Sequence, residues 1–122
     1  MNLEIKERNE YKKILKNYNI IKATISEIDL EIEYLKNNNE LSQDKEKILI
    51  INKKRNEKLI NKINNRLNNL SLKEKQLVQL RYLSKEPFTW YQIGNILQLS
   101  EGYCRTKLND KCLYKLFKIE NN

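Results

Sequence analysis

From Leu3 to Lys36 apolar residues recur every seven positions, and no glycine or proline interrupts them. Tyr11, Tyr18, Ile25 and Ile32 form one line; Ile14, Ile21, Ile28 and Leu35 form a second, three residues further on. A double line of this kind is the a/d seam of a packed helix and does not fit the two-residue period of a strand. The spacing predicts one long helix of about ten turns. Asn37-Asn38-Asn39 ends it, because asparagine tolerates left-handed backbone and competes for local hydrogen bonds. A second helix is expected from near Ser42 or Asp44 to Asn69, with Leu49, Lys53, Asn56, Ile60, Ile63, Leu67 and Leu70 on its seam. Two such helices joined by a short loop make an antiparallel hairpin.

Charge is distributed in keeping with that pairing. Between Thr24 and Asn39 the acids Glu27, Asp29, Glu31 and Glu33 face only Lys36, whereas Lys45 to Arg66 carries eight basic residues against Glu46 and Glu57. An acidic segment folded back on a basic one is favourable, although each exposed pair contributes well under about 1 kcal/mol. Lys53-Lys54-Arg55 could instead meet a nucleic-acid backbone or another protein.

After residue 70 the pattern changes. Ser71-Leu72-Lys73-Glu74 reads as a capping box that opens a helix carrying Leu72, Leu77, Val78, Leu80 and Leu83, with Tyr82 alongside. Pro87 disfavours helix at Glu86 and closes it. Thr89 then caps a short helix with Ile93, Ile96 and Leu97 on one face. Gly94 stands where a side chain would hold two helices apart. Leu99 can anchor the turn, and Ser100 can accept from the free amides of the next helix. This is the layout of a helix-turn-helix, whose second helix enters the major groove of DNA.

The residues Leu72 to Leu83 resemble the lead helix of a sigma-70 region 4 domain. That pattern reads L-x-x-x-E-x-x-V-x-x-L-R-Y, a loop, T/S-W-x-x-I-A, then L-x-x-S-E. With its charged helical N-terminal half, the chain is similar to ArpU/RinA-type phage transcriptional regulators. The likeness covers residues 71–118 through its motifs and residues 1–70 through heptads and charge alone. In three places the chain departs from the pattern: Gly94 replaces alanine, Gln98 fills a turn position that favours glycine or asparagine, and the apolar residue due at 107 stands at Leu108. The resemblance implies an all-α fold, a long antiparallel helical hairpin arm over residues 1–70 followed by a three-helix sigma region 4-like helix-turn-helix domain over 71–122. It further implies sequence-specific binding of double-stranded DNA in transcription control, as an activator or sigma-like factor, with RNA polymerase as a second partner. Rival expectations are a small terminase-like DNA-packaging oligomer and a coiled-coil adaptor.

In this motif base contacts come from the first two turns of the second helix. Arg105 can fork onto guanine, Thr106 can meet a thymine methyl and Asn109 can pair with adenine. Lys107, Lys111 and Lys115 suit phosphates. Glu101 and Tyr103 are further exposed positions, Ser100 and Thr89 stand at the two helix starts, and Trp90 is either half-packed core or a donor to phosphate. Burying Leu108 could instead swing Lys107 and Lys111 toward the groove.

The net charge of +8 suits a polyanionic partner. Without histidine, and with only Cys104 and Cys112, the chain offers no metal set, and no cofactor is expected. The two thiols lie about 12 Å apart along one helix, too far for a disulfide, and read as small core residues. No catalytic constellation is evident, so no enzyme is expected. The longest apolar run, Ile48 to Ile51, is far short of a membrane span, and Asn2 to Lys16 is too charged for a signal peptide. A cytoplasmic protein follows from this reading, with a homodimer through the N-terminal helices if the first helix pairs with its own copy.

Overall fold

A computed structural model describes residues 3–118; Met1, Asn2 and residues 119–122, which the sequence reading included in its two domains, lie outside the described part. The described chain is all-helical, with no strand. Helix α1 spans Ile5–Lys16, α2 Tyr18–Asn37, α3 Gln43–Leu67, α4 Leu72–Val78 and α5 Trp90–Leu97. Helix α4 runs on into a π-helical turn at Gln79–Leu83, and a final helical stretch comprises α6 Glu101–Tyr103, a π turn at Cys104–Leu108 and α7 Asn109–Phe117.

The expected ten-turn first helix is broken at Asn17, and the expected boundary at 70/71 is not where the contacts divide. Residues up to Asn17 cluster with those from Ile63 onward, while Tyr18–Lys62 form a unit of their own. The reason lies in what α1 buries. Its fully buried side chain is Leu15, off both heptad lines, while Ile14 is only half-buried. Across α1, Arg8 makes a bidentate pair with Asp110, Nε to Oδ1 and Nη2 to Oδ2 both at 2.8 Å. Tyr11 stacks on Phe117 with ring centroids 4.6 Å apart, and Lys118 pairs with Glu7 at 2.9 Å. An unbroken heptad seam would turn Arg8 and Tyr11 away from these partners; Asn17 leaves ideal helical geometry and releases the register.

In the unit Tyr18–Lys62, α2 and α3 run antiparallel. Asp29 pairs with Lys53 at 2.7 Å, and residues near the end of α2 face residues near the start of α3. Asn39 turns the chain with φ of 55°, the left-handed backbone that asparagine tolerates. Ile28 and Leu35 are buried, but Ile21, Ile25, Ile32 and Leu49 are only half-buried. Two helices alone cannot enclose this seam.

In the other unit, Leu77, Val78, Ile93, Leu97, Cys104, Leu108, Cys112, Leu113 and Leu116 form a closed core, none more than 5% exposed. The capping box at Ser71 is made, its Oγ accepting from the Glu74 amide, and the cap at Thr89 is a full capping box as well, its Oγ1 accepting from the Gln92 amide. Gly94 lies where α5 meets the following helix. A Cβ there would stand 2.8 Å from the Leu99 carbonyl oxygen and 3.3 Å from the Glu101 amide nitrogen, both backbone atoms that cannot swing aside. Gly94→Ala should therefore destabilise by about 1–2 kcal/mol, even after helix propensity returns about 1 kcal/mol. Chemical denaturation checks it; an unshifted midpoint would show that the two helices have room to part.

Candidate nucleic-acid interface

Between α5 and α6 the chain turns through Gln98, which adopts left-handed backbone at φ 58°, ψ 43°. The Gln98 and Leu99 amides both donate to the Gly94 carbonyl and close the end of α5. Glutamine in this conformation costs about 1 kcal/mol, which the buried contacts on either side, Leu97 and half-buried Leu99, offset. Ser100 then starts the next helix, its Oγ accepting from the Tyr103 amide at 3.2 Å.

The π turn accounts for the displaced apolar residue. Cys104, Leu108, Cys112 and Leu116 are spaced by four, and at 3.6 residues per turn such a stripe drifts about 40° with each step. The Asn109 amide donates to the Cys104 carbonyl, five residues back, and this one wide turn brings Leu108 inward. Leu108 and Asn109 are thus buried side by side, while Arg105, Thr106 and Lys107 are exposed in succession. Turning Leu108 inward does not turn Arg105 away.

Arg105 lies 3.9 Å from Glu101 one turn earlier, an exposed pair that weakly orders the guanidinium. Thr106 Oγ1 donates to the Gly102 carbonyl at 2.6 Å, which leaves its methyl as the group to offer outward. Tyr103 is 40% exposed. Thr89 and Ser100 both stand exposed at helix starts with their oxygens engaged as caps.

Asn109 cannot read adenine from where it lies. Its side chain is fully buried and Tyr82 Oη donates to its Oδ1 at 2.6 Å. Burial drives the Tyr82 hydroxyl far above its usual range, so that it remains a donor. Lys115 is likewise drawn off the proposed phosphate set. Its Nζ lies 2.9 Å from Glu74 Oε1, and Lys111 lies 3.9 Å from Oε2. Glu74 is 2% exposed at its side chain; burial alone would raise its pKa, but the Ser71 amide and Lys115 outweigh that and hold it below the usual carboxylate range. Lys111, 46% exposed and only loosely paired, retains access to solvent. Cys104 and Cys112 are free and fully buried, and burial pushes the Cys112 thiol up to about 12.

Two features escaped the sequence reading. Arg81 lies 4.7 Å over the half-buried Trp90 ring while its Nη1 donates to the Phe88 carbonyl, which fixes the indole at the start of α5. On α1, Arg8, Lys12 and Lys16 stand at four-residue spacing. Lys12 is depressed in pKa by burial and then by the neighbouring charges of Arg8, Arg81 and Lys16, partly offset by Asp110, which already holds Arg8. The i,i+4 spacing was visible; that α1 folds back against Arg81 was not.

Among the described residues no group of acids and thiols could hold a metal ion, and no helix is long and apolar enough to cross a membrane. In comparisons with known proteins, no family model, curated protein or solved structure matches this chain.

Proposed function

We propose that this chain binds double-stranded DNA sequence-specifically and regulates transcription, through a sigma region 4-like helix-turn-helix formed by α5 and the helix that starts at Glu101, with α2 and α3 as a helical-hairpin arm. The observation that carries the reading is the exposed run Arg105-Thr106-Lys107 in the first two turns of that second helix. It stands on a turn made tight by Gly94 and Gln98 and is backed by a closed core. Arg105 supplies the base-reading group, Thr106 an apolar contact, and Lys107 and Lys111 the positioning charges. Thr89 and Trp90 flank a phosphate at the start of α5. Asn109 and Lys115 drop out of the interface for the reasons given above. The reading assigns no catalytic step to the chain, and its buried free thiols suit a reducing, cytoplasmic setting.

Selection of binding sites from random duplexes tests it. Arg105→Ala should relax preference at one base pair, a loss of about 1–3 kcal/mol of discrimination. Lys107→Ala should weaken all sequences about equally. The register is wrong if these two outcomes are exchanged, and the function is wrong if the unaltered chain enriches no sequence at all.

A further inference from the structure

The unit Tyr18–Lys62 carries an open groove between α2 and α3. One wall is formed by Thr24, Glu27 and Glu31, the opposite one by Lys45, Ile48, Asn52 and Arg55, and Ile28, Leu35 and Leu49 lie between them. Each wall is a helical stripe with alternating three- and four-residue steps. Continued, the first runs from Ile20 through Glu27 and Glu31 to Tyr34, and the second from Lys45 through Arg55 to Leu59. Exposed apolar side chains stand at both ends of the first stripe and near both ends of the second: Ile20 63%, Tyr34 62%, Ile48 61% and Leu59 38% exposed. The middle of one stripe is acidic and that of the other basic.

We propose that this groove is a self-association surface, occupied by the same face of a second copy of this chain. With a two-fold axis along the helices, each α2 lies on the partner's α3 and both turns point the same way. Tyr34 then meets the partner's Ile48 and Glu27 the partner's Arg55, with Ile20 about one turn from the partner's Leu59, and the same contacts repeat across the axis. The match follows from the antiparallel pairing within one copy, which already sets Asp29 level with Lys53. An arrangement with the axis across the helices would lay acidic α2 on acidic α2. The face is about 30 Å long and two helices wide, about 600 Å² per copy, at the lower end of what a stable pair of proteins uses. It also covers Leu49, which α2 and α3 leave half-buried beside Ile28.

The inference goes beyond DNA binding and is read without DNA. Sedimentation equilibrium of the full chain should give twice the mass of one copy. Tyr34→Ser with Ile48→Ser alters side chains that touch little within one copy, so helical content should persist while the dissociation constant rises at least tenfold. A Glu27→Lys, Glu31→Lys chain and a Lys45→Glu, Arg55→Glu chain should each run as one copy and, when mixed, form a pair with one of each. A single-copy wild type, a ring of many copies, a serine variant that still pairs, or a charge-swapped mixture that does not would each overturn the proposal.

Discussion

Affinity for duplex DNA should fall about twelvefold as salt rises from about 50 to about 200 mM. Lys107 and Lys111 are exposed on one helix and bring two positive charges against phosphates, while Arg105 is turned to a base edge. Each phosphate neutralised steepens the logarithmic salt slope by about 0.9, so two give a slope near 1.8. Lys115 is excluded from this count, because Glu74 already holds it. The Lys107→Ala slope should be shallower by about one, and the Lys115→Ala slope unchanged. Fluorescence anisotropy on one duplex across a salt series measures both. A flat response in the unaltered chain would remove the phosphate assignments, and an equal change for Lys115→Ala would restore that residue to the interface. If Lys12 and Lys16 on α1 also reach the backbone, the measured slope will exceed three.

The local devices of this fold were readable from residue types. The capping box at Ser71, the cap at Thr89, the glycine contact at Gly94, the turn at the asparagine run and the inward thiols each depend on a few neighbouring residues, whereas Gln98 stood out only as an unusual residue for its turn. Longer-range facts were not readable, and each miss has a specific cause. A heptad line states that a helix is amphipathic without naming its partner, so Ile14 and Tyr11 read as a continuation of the α2 seam. Leu15, which is fully buried, and Arg8, which pairs with Asp110 on the C-terminal helix, carry no marker of those roles. By residue type alone Asn109 belongs to the groove, since asparagine suits adenine and is mostly exposed in proteins. Its buried partner Tyr82 lies 27 residues earlier, and no local pattern links them. The displacement of Leu108 was visible, but a wide turn and a rotated helix are equally consistent with it in sequence. Only the backbone, through the Asn109-to-Cys104 hydrogen bond, distinguishes them.

Replacing Glu74 by alanine should cost about 3 kcal/mol of stability, more than any change on the exposed helix face. Its carboxylate accepts from the Ser71 amide at 2.8 Å and from Lys115 at 2.9 Å, and Cys112 Sγ donates to its backbone carbonyl at 3.6 Å. It therefore joins the start of α4 to the helix that carries Arg105. Removing a capping residue costs about 1 kcal/mol. Breaking a buried ion pair costs about 3–5 kcal/mol, an amount reduced here because Lys115, 29% exposed, can turn toward water. Glu74→Gln keeps the cap and loses the charge, so it should fall between the two. The pH dependence separates these contributions. The folded pKa of Glu74 is lowered, so its stabilisation is present above the unfolded carboxylate value near 4.3 and is lost as pH falls through the folded one. Between about pH 5 and about pH 2 the unaltered chain should lose its advantage over Glu74→Gln, as urea midpoints at several pH values would show. Parallel acid limbs would mean that the carboxylate is protonated in the folded chain or that its partners have turned away. Lys115→Ala should then lower stability and leave salt-dependent DNA affinity unchanged, the signature of a lysine that holds the reading helix in place without touching DNA.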